Sequence, residues 1–142
     1  MFYKMIENKC NEWYSSERCT VRNLIEYIEK TGQMRDAQIE AIKVYLFLKI
    51  GCECKPLEFL FRYGCFNSIN LNDIELSTAT REYLEENPAA TALFEYSRLT
   101  NDKGEQVSEK LEKQIKKDPS SIDYDVFFRT AFYGVSYTDY LF

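Results

Sequence analysis

Every residue from Val44 to Ile50 except Lys49 is apolar. Just ahead of that run, Ile39, Ile42 and Leu46 recur at helical spacing behind Asp36, a residue suited to a helix start. The pattern predicts a helix from Asp36 to about residue 50 that leaves at Gly51. A helix that is apolar nearly all round belongs in an interior. This one is therefore expected to be the central, buried helix of a packed, mostly helical body.

The rest of the chain reads the same way. Met1 to Tyr14 is expected to form a short helix with Phe2, Met5, Ile6 and Trp13 available for packing, broken at Ser15-Ser16. Thr20 is the expected N-cap of a helix over 21–30, in which Val21, Leu24, Ile25 and Ile28 share a stripe and Thr31-Gly32 forms the exit. Pro56 suits the first turn of a short helix carrying Leu57, Leu60 and Phe61. After an irregular stretch over 64–76, Ser77 or Thr78 caps a helix through Glu86. Asn87-Pro88 interrupts it, and another helix runs to about Leu99 with Ala90, Leu93 and Phe94 inward. A turn over 101–104 leads into a helix over 105–117 with a Val107, Leu111, Ile115 seam and Glu-to-Lys pairs at 109/113 and 112/116. A last helix is expected over 123–133, then an extended segment from Val135 to Phe142. The fold class is mainly α: one domain over 1–142 with about six or seven helices, residues 1–18 more loosely attached and 134–142 an extended tail.

Composition bounds the function. The 142 residues are 45% hydrophobic and 15% aromatic, too apolar for a disordered chain. A net charge of -5 opposes wholesale nucleic-acid binding and suits a protein that docks on basic partners. Met1 to Cys10 has no secretory pattern, and the longest apolar run is too short to span a bilayer. Five cysteines without such a leader suggest reduced thiols and a cytoplasmic location.

Chemistry is sparse. There is no histidine, which removes the commonest general base and most zinc sites. A zinc site would need four of the thiols at 10, 19, 52, 54 and 65, so small buried or half-exposed thiols are expected instead. The glycines stand singly, and no phosphate-cradling loop exists. The carboxylate pairs Glu85-Glu86 and Asp123/Asp125 lie at helix ends or on charged faces, where capping and solvation explain them. Lys110, Lys113 and Lys117 share a helical face with Lys116 beside them. They form either a phosphate-contacting strip or a solvated face balanced by Glu109 and Glu112. The aromatics at 124, 127, 128, 132, 133, 137, 140 and 142 either close the core or form an apolar interface.

The segments CTVRNLIEYIEKTG, MRDAQIEAIKVYLFLKI, KPLEFLF and DYDVFFRTAFYGVSYTDYLF together resemble the N-terminal accessory region of bacterial DEAD/DEAH-box, superfamily 2 helicases of the restriction-enzyme type. The likeness spans roughly Asn11 to Phe142. It implies that Gln38 reads adenine, with Arg35 as its cationic neighbour, and that the chain ends ahead of the phosphate-binding loop. More than a hundred residues follow Gln38, a departure from compact helicases that favours reading it as a polar residue on the outer face of its helix.

On that resemblance the chain is a non-catalytic, helicase-associated domain in bacterial defence. It would dock on or regulate a motor core, with ATP bound only when joined to that core and DNA contacted indirectly. The alternative is a stand-alone phage- or plasmid-type inhibitor or adaptor that occupies a nucleic-acid enzyme. Either way a protein partner is expected.

Overall fold

A computed structural model describes residues 2–133, so the expected extended tail lies outside the described residues. Among them stand eight α-helices and no strand, only a single bridge between Thr100 and Gln106. The chain packs as two compact units, one over 2–55 and one from Pro56 onward.

The first unit holds three helices: α1 (Phe2–Tyr14), α2 (Arg22–Thr31) and α3 (Asp36–Leu46). α3 continues without a break into a π turn, Phe47–Gly51, in which the Cys52 N–H reaches back to the Phe47 carbonyl at 2.8 Å. α1 buries Met5, Ile6, Cys10 and Trp13 and packs on α3 and the π turn. The indole of Trp13 lies 5.7 Å from the Phe47 ring. Gly51 makes this contact possible. A Cβ there would sit 2.9 Å from the Phe47 ring and 3.0 Å from the indole nitrogen.

Two sequence expectations change in this unit. α2 begins at Arg22 with Val21 at the cap position and no side-chain cap, so Thr20 does not cap it. The guanidinium of Arg22 instead turns back to donate to the Tyr14 carbonyl at 2.9 and 2.7 Å and to the Ser16 carbonyl. A cation there satisfies carbonyls that the end of α1 leaves open. The exit of α2 at Gly32 is as expected, in the left-handed conformation at φ 65°.

The larger change concerns α3, which is not the buried centre. Of the run Val44–Ile50 only Phe47 is buried, while Tyr45 is 59% and Ile50 41% exposed. In a three-helix unit α3 has two helical neighbours, α1 and α2, and these cover only part of its circumference.

The second unit contains α4 (Leu57–Arg62), α5 (Thr78–Glu86), α6 (Pro88–Arg98), α7 (Glu109–Lys117) and α8 (Tyr124–Tyr133). Ser77 caps α5 by accepting from the Thr80 N–H at 3.2 Å, and Asn87-Pro88 separates α5 from α6 as expected. α6 is the central helix. It packs against α4, α5, α7 and α8, and Ala90, Ala92, Leu93 and Phe94 are fully buried. Small alanines let four neighbours approach, which a run of bulky residues would prevent. Its buried hydroxyls are satisfied: Thr91 donates to the Leu84 carbonyl and Ser97 to the Phe94 carbonyl, both at 2.6 Å.

α7 starts later than its composition predicts. The Asn101 side chain accepts from the Lys103 and Glu105 N–H groups, and the Val107 N–H donates to the Leu99 carbonyl. These bonds hold 105–107 in a turn until Ser108 caps the helix through the Leu111 N–H at 3.1 Å. Two aromatics of α8 reach the core: Phe128 is fully buried, and Phe61 meets Phe132 at 5.1 Å and Phe128 at 6.2 Å. Tyr137, Tyr140 and Phe142 lie outside the described residues.

Candidate functional site

Arg35 and Gln38 stand together at the start of α3, both exposed. The Gln38 side-chain oxygen accepts the Arg35 backbone N–H at 2.9 Å. This is the returning half of a capping box; an arginine side chain has no acceptor to supply the other half. An adenine-reading amide must donate and accept at once, and here one of the oxygen's two lone pairs is taken by its own helix. The neighbouring depression, about 350 Å³, is lined by Glu29, Gly32, Met34, Asp36, Ile39 and Glu40. Three carboxylates around it oppose a triphosphate.

Lys43, on the next turns of α3, holds this unit together. Its ammonium lies 3.2 Å from Glu29, 3.3 Å from Glu40 and 4.6 Å from the centroid of the Tyr14 ring, joining α1, α2 and α3. Desolvation pulls its pKa down, but the hydrogen bonds and charges of the two glutamates outweigh that and raise it. Sequence reading missed this hub because Glu29 and Tyr14 lie on other elements. Only the Glu40–Lys43 spacing was visible.

The second hub is Glu112 on α7. It accepts from Arg98 at 2.8 Å, from Lys116 at 3.0 Å and from Gln106. Burial pushes its carboxyl pKa up, yet the hydrogen bonds from Gln106 and Lys116 and the charges of Lys116 and Arg98 hold it below the usual carboxylate range. Lys116 is thus separated from the strip that sequence reading assigned to it. Lys110, Lys113 and Lys117 remain exposed and make no ion pair among the described residues. The expected 109/113 pair is likewise absent among them, whereas 112/116 is present.

The carboxylate pairs have structural partners or solvent. Asp123 caps α8 by accepting from the Val126 N–H at 3.1 Å, and Asp125 meets Arg62 at 2.6 Å. Glu85 and Glu86 are exposed at the end of α5. All five cysteines are free, with Cys10, Cys19 and Cys52 buried and Cys54 and Cys65 exposed. Burial, reinforced by the Glu40 charge, pushes the Cys10 thiol up to about 11, so it stays protonated at neutral pH. Among the described residues no three metal-ligating side chains converge, and no helix is long and apolar enough to cross a membrane.

Several large apolar side chains also face outward. In the 2–55 unit, Leu24, Tyr27, Met34, Tyr45 and Ile50 are each at least 41% exposed. Leu24 therefore leaves the stripe expected for α2, where only Ile25 is buried. No protein-family model, no curated protein and no solved structure matches the chain.

Proposed function

We propose that this chain is a non-catalytic docking module whose partner is a nucleic-acid-processing enzyme. The class suggested by the sequence likeness is a superfamily 2 helicase motor core. The observation that carries the docking reading is the outer side of α3 and its π turn. A segment apolar nearly all round is normally enclosed, and here Tyr45 and Ile50 face outward. An exposed aromatic such as Tyr45 is of the type enriched at interface centres. The partner class rests on the resemblance alone.

The test uses the full chain with a photo-crosslinking residue at Tyr45 and a purified superfamily 2 motor core at low salt. The expected result is a crosslink that Ile50→Glu reduces at least tenfold while the helical circular-dichroism spectrum is unchanged. No association at low salt would reject the partner class. The chain alone should show no ATP hydrolysis. Hydrolysis abolished by Gln38→Ala would replace the docking reading with the nucleotide one.

A further inference from the structure

Beyond the docking reading, and independently of it, we propose that the outer face of α7 binds the phosphate backbone of duplex DNA through Lys110, Lys113 and Lys117. In the unit that starts at Pro56, the described cations are otherwise largely committed. Arg62 pairs with Glu58 and Asp125, Arg98 and Lys116 with Glu112, and Arg129 with Glu58, while Arg81 donates to the Ile74 carbonyl. Among the described residues the three lysines make no ion pair, although the excess of acidic residues in this chain lies entirely beyond Lys55. With carboxylates so plentiful, three neighbouring ammonium groups left in no ion pair offer an anion a ready site.

Helical geometry puts the three within a sector of about 60° and along about 10 Å of axis. The helix that carries them is firmly held. Ile115 is fully buried, Ser108 caps the first turn, and the Thr80 hydroxyl donates to the Lys116 carbonyl at 3.0 Å. Glu112, the carboxylate on the inner side, is already neutralised by Arg98 and Lys116. Glu109 and Asp118 flank the strip and weaken it, but more distant acids are screened beyond about 8 Å at physiological salt. α7 carries no aromatic residue on which an unpaired base would stack. The face therefore offers charge alone, which matches the regular backbone of a duplex.

Fluorescence anisotropy of a labelled 20-base-pair duplex, titrated with the full chain across a salt series, tests the assignment. Three phosphate contacts give a slope of log K against log salt of about -2.7. Substituting Lys110→Gln, Lys113→Gln and Lys117→Gln together should bring the slope near zero with the thermal midpoint unchanged. Lys116→Gln, whose ammonium belongs to Glu112, should leave the slope as it was. Three results would each overturn the proposal: no duplex binding at low salt, an unchanged slope in the triple variant, or tighter binding of single strands or polyglutamate than of duplex.

Discussion

Helix α6 buries Ala90, Thr91, Ala92, Leu93, Phe94 and Ser97, whereas α3 and its π turn bury only Ile39 and Phe47. By composition the order is reversed, since α3 and the π turn form the more apolar stretch. The difference is in the neighbours. α6 is surrounded by α4, α5, α7 and α8, while α3 has α1 and α2. Apolar content states how much a helix gains from being covered; the number of elements that reach it decides how much is covered. A segment left with more apolar surface than its own unit covers is the natural place to look for a partner, and a segment fully enclosed is the place to look for stability.

The most direct way to break this contrast is truncation on both sides. Phe94→Ala should cost about 3–5 kcal/mol in urea unfolding, the usual range for a buried phenylalanine. Tyr45→Ala should stay within about 0.5 kcal/mol, as exposed positions do. Equal losses would show that the outer side of α3 is covered after all.

A smaller effect is expected at the contact that anchors the π turn. Gly51→Ala places a methyl group 2.9 Å from the Phe47 ring and should cost about 1–3 kcal/mol, as overpacking does. The near-ultraviolet signal of Trp13 should change with it. A neutral result would mean that the indole and the Gly51 backbone are not in contact.

The smallest effect concerns the two charged hubs, and pH separates them. Glu112 has a lowered folded pKa, so its contribution is present above the unfolded value of about 4.3 and is lost as pH falls through the folded one. Lys43 has a raised folded pKa, so its contribution is full below about 10.4 and is lost as pH rises through the folded one. Glu112→Gln should cost about 1–2 kcal/mol at pH 7, discounted because the side chain is partly solvated. That cost should shrink on acidification below pH 4. A cost independent of pH would assign it to packing rather than charge.

Much of the local architecture was legible. Gly32, Ser77 and Asn87-Pro88 mark helix ends through backbone rules acting within four residues, and the structure keeps each of them, while Pro56 stands just ahead of α4 at its cap rather than in its first turn. The inward face of α6 was legible for the same reason. The errors lie where a distant residue competes with a local preference. Thr20 lost its capping role in a loop where Arg22 reaches back to α1, and 105–107 left the helix for bonds with Leu99 and Asn101. Of the candidate site, the outward direction of Lys110, Lys113 and Lys117 was visible from spacing. The Glu112–Lys116 pair was visible from spacing too, but not that Arg98 shares the carboxylate, because Arg98 belongs to another helix.

The amino-acid sequence by itself determined that this chain is helical, where most of its helices begin and end, and which positions face inward along α6. Caps, breakers and periodicity act over a few residues and need no partner. Tertiary structure alone decided which helix sits at the centre, that Arg98 shares Glu112, and that Lys43 meets Glu29 and Tyr14 across helices. Those outcomes depend on how many elements meet at a point and which charges they bring there, quantities that no local stretch of sequence contains.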